Sequence, residues 1–316
     1  MATSSGGITL AAGVKEASLF SGRTITETAE RGAGVPRPAL TPVTTATPEL
    51  VELINADRMP GQPACTLAMV QAAIDGTSPV DSAWWAELAD LRTEVLPGAD
   101  GTPAGAIAYA RRPRDGAGVI LWLHAREVPA VVRALLDHAL VELAGCPTVE
   151  AFTFATALGL GLEALPVRHR PATHSALTDL GFAGSDLWRY MCRDLPAAGL
   201  PTCAYRTRRD EDRRVLEVER DGKVIAEATI GDPVDGVGVL WWIGVEPVAR
   251  GDGLGLRMLG AALAELAASG AQQVILYVDD DAPDDDPERS RAAANAMYER
   301  AGFAEVDRLW SYQLTR

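Results

Sequence analysis

Apolar positions follow helical and strand spacings in turn along most of the chain after residue 46. The segment "TPELVELINADR" has helical spacing, with Thr47 as a candidate N-cap and Pro48 at the first helical position. Two more short helical segments follow it. Two strand-like runs around the turn "GADG", a strand "GVILWLHA" and a helical segment "VPAVVRALLDHALVELAG" come next. A strand, a helix and a closing strand complete this half, and the pattern predicts a mixed α/β order.

The same order of elements returns after Pro201. A hairpin, a strand "VGVLWWIGVEP", a helix, a strand, a helix and a final strand succeed one another. Short similar segments recur 119 to 123 residues apart and in the same order. They are "LW" at 121 and 240, "ALVELAG" at 139 and "ALAELAA" at 262, "LGF" at 180 and "AGF" at 301, and "LWRY" at 187 and "LWSY" at 309. A repeat of this length indicates a duplicated domain rather than a solenoid.

Composition places these two units in a soluble, acidic chain. The 316 residues are 47% hydrophobic, enough for two cores, and we expect domains at 46–195 and 201–316. Residues 1–45 are rich in Ser, Thr, Gly, Ala and Pro without a period, and we expect a flexible leader there.

Charge and cysteine usage exclude several classes of protein. The net charge of -14 disfavours a nucleic-acid partner, which needs a basic face. No apolar run approaches the ~18 residues of a membrane helix, and the N-terminus lacks signal-peptide features, so we expect no membrane association. The four cysteines are far apart and form no CxxC pair, which favours a reducing cytoplasm and no zinc site.

A glycine-rich turn, "VEPVARGDGLG" at 245–255, lies between a predicted strand and a predicted helix. Such a turn stacks N–H groups at a helix N-terminus, where they can bind phosphate oxygens. There is no GKS or GKT for a P-loop, and no acidic residue completes a dinucleotide fingerprint. The turn by itself is also compatible with an ordinary strand-to-helix connection.

Two motifs together carry a resemblance to a known family. "VEPVARGDGLG" resembles the pyrophosphate-binding motif of the GNAT N-acetyltransferase superfamily, and "NAMYERAGF" at 295–303 resembles that family's second motif. The resemblance implies two tandem GNAT-like acyl-CoA N-acyltransferase domains, an α/β fold with an α+β mixed sheet. It also implies acetyl-CoA as acyl donor and an amine as acceptor.

The resemblance implies roles for particular residues. The main chain near Ile243 would splay from the neighbouring strand and bind the pantetheine arm, while N–H groups of the turn would bind the pyrophosphate. Tyr298 would protonate the departing thiolate, and Asn295 would either line the same groove or face solvent. The residues thus assigned to the donor are Ile243, Gly244, Val245, Arg250, Gly251, Asp252, Gly253, Leu254, Gly255 and Asn295.

We expect direct attack of the acceptor nitrogen on the thioester in a ternary complex, because no Cys or Ser stands beside a plausible base. The family often uses a Glu on the strand before the turn, and that strand has no carboxylate here. Glu227 on the preceding strand is our first choice of general base, with Asp232, Asp235 or a chain of waters as alternatives. We expect no metal, since the spacing of the four histidines does not make a site.

The chain departs from the family pattern in three places. An acidic stretch at 279–290 is either a solvated loop or a lid for a cationic acceptor. The connection from Pro201 to Arg214 is too short for the two helices expected there, so the N-terminal half supplies that wall or the site is open. The N-terminal copy lacks the glycines, has a turn about four residues shorter, and has Leu177 where the other copy has Tyr298.

These observations favour one active C-terminal site beside a degenerate N-terminal domain with a structural or acceptor-binding role. The leading hypothesis is an N-acetyltransferase acting on a small-molecule amine. The alternatives are a non-catalytic acyl-CoA-binding regulatory protein and a peptide or protein N-acetyltransferase. The sequence does not determine the oligomeric state.

Overall fold

The computed structural model describes residues 39–78, 82–159, 164–210, 213–279 and 291–316. The N-terminal half contains β1 (Thr41–Pro42), α1 (Pro48–Ala56), α2 (Leu67–Ile74), α3 (Ser82–Trp85), β2 (Ala89–Pro97), β3 (Pro103–Arg112), β4 (Ala117–His124), α4 (Pro129–Glu142), β5 (Thr148–Ala151), β6 (Leu165–Pro166), α5 (Pro171–Asp179) and β7 (Ala183–Asp194). The C-terminal half contains β8 (Arg206–Asp210), β9 (Arg213–Arg220), β10 (Lys223–Gly231), β11 (Val237–Val245), α6 (Leu254–Ala268), β12 (Gln273–Asp279), α7 (Ala292–Arg300) and β13 (Ala304–Thr315). The predicted mixed α/β architecture is confirmed.

Local signals explain where the helices begin. The Thr47 side chain accepts a hydrogen bond from the Leu50 N–H at 3.2 Å, so it caps α1 as the sequence predicts. Proline stands in the first turn of α1, α4 and α5, where the missing N–H has no helical partner to lose.

The expected leader differs from the structure at its C-terminal end. Thr41 and Pro42 pair with Glu94 and Val95 of β2, and the Val43 N–H donates to the Thr93 carbonyl at 2.8 Å. These backbone bonds hold residues that have a disorder-like composition. The remainder of the predicted leader, residues 1–38, lies outside the described residues.

The strands form one continuous mixed sheet. The order is β1-β2-β3-β4-β5-β13-β7-β12-β11-β10-β9-β8, with β6 paired to β13. The last strand of each half lies against the other half: β13 pairs with β5, and β7 pairs with β12, all antiparallel. β13 and β7 also pair with each other at the centre. The two halves therefore exchange their final strands and share one sheet.

Helices cover the sheet in three places. α4 and α5 cover one hydrophobic cluster of the N-terminal half, α1 and α2 cover another, and α6 and α7 cover the C-terminal cluster. A fourth cluster joins Met59 of the N-terminal half to Tyr190, Val239 and Ile275 on the face of the sheet opposite α6.

A β-bulge marks the same point of both repeats. The register of β3 with β4 skips Leu121, and that of β10 with β11 skips Trp241. By this criterion Leu121 of the first repeat corresponds to Trp241 of the second. The repeated "LW" segments instead align Trp122 with Trp241, so the two alignments differ by one residue. Short repeated words are an uncertain guide to register where both strands are uniformly apolar.

The exchanged strands predict that the halves unfold together. Leu135→Ala, in the N-terminal core where Leu135 is fully buried, should cost about 2–5 kcal/mol. Because β13 and β7 cross between the halves, amide hydrogen exchange of β11 should accelerate as much as that of β4. Calorimetry should give a single transition. Unchanged protection of β11, or two separate transitions, would contradict the coupling.

Candidate active site

Two parallel strands of the C-terminal half separate to form a crevice. β11 and β12 pair only where Val237–Val239 meets Gln273–Ile275. The remainder of β11 has β10 on one edge and no strand of the described residues on the other. The free edge includes Ile243, Gly244 and Val245, the residues at which the family resemblance implies a splay. Backbone groups on such an edge are available to an extended ligand.

The connection from β11 to α6 leaves several N–H groups open. It begins with a short 3-10 turn, Pro247–Ala249, in which the Arg250 N–H donates to the Pro247 carbonyl at 3.3 Å. Among the described residues, the N–H groups of Gly251, Gly253, Leu254 and Gly255 have no acceptor. They lie at the positive end of α6, an arrangement suited to an anion.

The glycines make this backbone path possible. Gly251 and Gly253 have φ angles of 95° and 70°, values that favour glycine, and Gly253 is the N-cap of α6. A Cβ on Gly255 would lie 3.3 Å from Met297 Sδ, so this glycine allows α6 to approach α7 closely.

Two arginines, one in the turn and one in α6, stabilise the turn by side-chain hydrogen bonds. Arg250 Nε donates to the Val245 carbonyl at 2.9 Å, and Arg257 Nη1 donates to the Asp252 carbonyl at 2.8 Å. The Asp252 side chain is exposed, and the contact of this residue with Arg257 is made by its backbone carbonyl.

Tyr298 lies on α7 beside this helix terminus. Its side chain is 8% exposed and its ring packs edge-on to Phe303 at 5.8 Å between centroids. Burial raises the pKa of Tyr298 to about 12, against a smaller opposing effect of Arg291. The phenol therefore keeps its proton at neutral pH. Asn295 lies one turn earlier on α7 and is half-buried.

The three candidate bases differ in their surroundings. Asp232 is paired with Arg209 at 2.6 Å and with Arg214 at 3.4 Å, and Asp235 is 3.6 Å from Arg58 of the other half. Glu227 is 3.9 Å from Arg208, and its pKa is raised because burial disfavours its charged form.

Glu227 stands on the face of the sheet opposite α6. It pairs across the strands with Gly244, at the free edge of the crevice, while its neighbours Ala226 and Ala228 pack in the cluster under α6. Thr229 likewise pairs with Trp242, so Trp242 lies on the same face as Glu227. Adjacent strand residues normally face opposite sides, but the bulge at Trp241 places this tryptophan on that face as well.

A segment of the N-terminal half covers this face. A Cβ on Gly61 would lie 2.8 Å from Cys192 Sγ and 3.2 Å from Ile275 Cγ2, so the backbone at residue 61 packs directly on β7 and β12. The Ala64 N–H donates to Asp235 Oδ2 at 3.4 Å. These contacts place residues 59–64 of the N-terminal half over part of this face, near the paired ends of β11 and β12.

Several aromatic residues of this face were missed by the sequence analysis. Tyr277 lies in the separated part of β12, and its ring packs at a tilt against that of Tyr190, with 5.4 Å between the centroids. The hydroxyls of both tyrosines and the indole nitrogen of Trp188 are buried without a partner among the described residues. Only a strand register can bring these three residues together, since Tyr277 is 87 residues from Tyr190.

The N-terminal repeat has the same crevice with a different turn. β4 and β5 pair only from Gly118 to Ile120, but residues 125–128 then connect β4 to α4, four residues against the eight at 246–253. The Glu127 carboxylate accepts hydrogen bonds from the Ala172 and Thr173 N–H groups at 2.7 and 3.0 Å. Leu177 is fully buried at the helical position of Tyr298. The acidic residues 280–290 lie outside the described residues.

The model of the acetyltransferase (GNAT) family matches residues 185–303. A relative is 31% identical over 245 residues, which cover 67% of this chain and 76% of the relative. The chain belongs to the GNAT acetyltransferase family and is an acyltransferase.

The relative is the mycothiol acetyltransferase of Clavibacter michiganensis subsp. michiganensis. Two solved structures share the fold. A tandem GNAT protein from the clavulanic acid biosynthesis pathway matches with a TM-score of 0.60 at 15% identity, over 88% of this chain and 98% of that one. A GCN5-related N-acetyltransferase from Sphaerobacter thermophilus matches with a TM-score of 0.55 at 15% identity, over 87% and 95% of the two chains. These likenesses confirm the predicted tandem fold.

Two kinds of feature were not found in the described part of the chain. No helix there is long and apolar enough to cross a membrane. No three His, Cys, Asp or Glu side chains in those ranges are grouped as metal ligands.

The open N–H groups predict a single donor site per chain. Gly253→Glu should abolish acetyl-CoA binding, because it places a carboxylate where the turn would hold phosphate. Gly222→Glu is the matched control: Gly222 has a φ of 74° in a hairpin with open space around it, so it carries the same backbone cost elsewhere. Isothermal calorimetry with acetyl-CoA measures both. Two sites per chain, or equal loss in both variants, would contradict this prediction.

Proposed function

We propose that this chain transfers an acetyl group from acetyl-CoA to the amine of a small molecule, in the crevice between β11 and β12. The observation that carries the proposal is the set of open N–H groups at the start of α6, next to the free edge of β11. The pyrophosphate would bind the turn and the pantetheine arm would run along Ile243 to Val245. Main-chain N–H groups of that edge would then polarise the thioester carbonyl.

Tyr298 is the proposed general acid. The phenol is protonated at neutral pH, so it has a proton to give to the CoA thiolate as the thiolate leaves. The close contact of α6 and α7 at Gly255 and Met297 brings the helix of Tyr298 to the helix that begins at the turn.

Glu227 is the proposed general base. An amine of ordinary pKa arrives protonated and must lose a proton before it attacks. The raised pKa of Glu227 makes its carboxylate a better proton acceptor than an ordinary glutamate, and the residue lies on the acceptor face beside Gly244. The amine nitrogen then attacks the acetyl carbonyl carbon directly, and the C–S bond breaks as the tetrahedral intermediate collapses.

The acceptor would lie on the face covered by the N-terminal half. Met59 and Gly61 cover the part of this face around Val239 and Ile275, and such partial cover favours a small molecule over a peptide that needs an open groove. The relative's name also denotes a small molecule. The buried, unpartnered polar atoms of Tyr190, Tyr277 and Trp188 would bind polar groups of that acceptor.

Tyr298→Phe tests the acid. It should lower kcat by about a hundredfold or more while acetyl-CoA affinity stays within about twofold, because only the transition state needs the proton. Tyr205→Phe is the control, since the Tyr205 hydroxyl bonds Glu265 on the outer side of α6. Turnover is measured by thiol release over a panel of small amines and one basic peptide. Binding of acetyl-CoA without turnover on any amine would favour a regulatory protein, and turnover on the peptide alone would favour the other alternative.

Glu227→Gln tests the base through its pH dependence. In the wild type, kcat/KM should fall on the acid side as Glu227 takes up a proton, at a pH above the usual glutamate range because its pKa is raised. The Glu227→Gln variant should have lower activity, and its kcat/KM should no longer fall on the acid side of the pH profile. Asp232→Asn, at a carboxylate already paired with Arg209, should keep the acid-side fall in kcat/KM. An unchanged profile in Glu227→Gln would point to water or another group.

A further inference from the structure

The second crevice, between β4 and β5, contains polar groups that neither the fold nor the proposed function uses. The strands separate after Ile120, and the cleft between them is lined by apolar side chains together with the polar residues Asp57, Gln62, Trp122, His124, Thr156 and Arg170. Its volume of about 60 Å³ is room for four to six water molecules or one small functional group. A pantetheine arm is much larger than this.

A histidine and an aspartate meet in the cleft. His124 Nδ1 is 3.2 Å from Asp57 Oδ2, which also accepts the Ala125 N–H at 3.0 Å. Burial by itself would raise the pKa of Asp57, but the hydrogen bond to His124 and the charge of Arg170 at 3.5 Å lower it. An ionised carboxylate only accepts, so Nδ1 of His124 carries the proton that faces Asp57.

His124 is therefore a neutral acceptor toward the cleft. Burial lowers its pKa, and Arg170 already balances the charge of Asp57. With the proton on Nδ1, the Nε2 atom presents a lone pair, and it has no partner among the described residues.

Trp122 adds a donor beside this acceptor. Its side chain is 3% exposed, its ring lies 6.0 Å from that of His124, and its Nε1 is buried with no partner in the described part of the chain. A buried N–H left unpaired is unfavourable, and an acceptor atom of a ligand would remove that penalty.

The mouth of the cleft is unsuited to phosphate. Glu127 occupies the turn after β4, bonded to Arg170 Nε at 2.5 Å and to the Thr173 hydroxyl at 2.6 Å. The carboxylates of Asp57 and Glu127 face one guanidinium, so the cluster has a net negative charge that repels anions.

We infer that this second crevice is a binding site for an uncharged small molecule, which inserts a hydroxyl or carboxamide group between Trp122 Nε1 and His124 Nε2. Such a group accepts one hydrogen bond and donates the other, which matches the donor and acceptor that the cleft leaves open. The inference goes beyond the proposed acetyl transfer and does not depend on it.

The test uses the ¹⁵N-labelled full chain and two neutral probes. Glycerol presents hydroxyls and acetamide presents a carboxamide, while inorganic phosphate serves as the anionic comparison. The Trp122 indole signal is assigned by its loss in Trp122→Phe. At least one neutral probe should shift this signal and the His124 Nε2 signal saturably, and phosphate should not.

A matched pair of variants locates the binding. His124→Phe should weaken the saturable shift about tenfold, the loss expected for one hydrogen bond of about 1.4 kcal/mol. His174→Asn, at a histidine bonded instead to the Tyr312 hydroxyl, should leave it unchanged. If His124→Phe does not fold, the wild-type Nε2 shift decides alone. Shifts that stay linear in every probe, no shift, or a saturable shift with phosphate would each overturn the inference.

Discussion

The pairing of β13 between β5 and β7 holds the two halves of the chain in one sheet. A strand inside a sheet needs hydrogen-bonding partners on both edges, and here each half takes one of those partners from the other. Residues 58–64 of the N-terminal half also lie over the central part of this sheet, where Gly61 packs on Cys192 of β7 and Ile275 of β12. The proposed wall of the acceptor site would therefore come from the other half and not from helices of the same half.

Two copies of one crevice have acquired different chemistry through the length and charge of one turn. Eight residues after β11 expose N–H groups at the start of α6, and two of them are glycines with positive φ. Four residues after β4 place Glu127 against Arg170 instead. The first turn favours an anion and the second repels it, so the charge of the ligand is selected outside the strands that form each crevice.

Burial also tunes the titratable groups of the candidate site. The packing that places Tyr298 in the core under α6 raises the pKa of its phenol, and partial burial raises that of Glu227. Both shifts come mainly from desolvation, which disfavours a charged phenolate and a charged carboxylate alike. In the proposed mechanism, a protonated Tyr298 and a Glu227 of increased basicity on opposite faces of the sheet would support transfer without a covalent intermediate.

The sequence by itself determined the order of elements, the cap at Thr47, the duplication, and the turn and helix that carry Gly253 and Tyr298. These depend on periodicity and on local backbone requirements, which are encoded within a few residues. Only the tertiary structure decided the exchange of β7 and β13, the bulge at Trp241, and the meeting of Tyr190 with Tyr277. The tertiary structure also placed His124, for which the sequence indicated no site, in contact with Asp57. These features depend on strand register and on contacts between distant segments, and a uniformly apolar strand carries no local signal that fixes its neighbour.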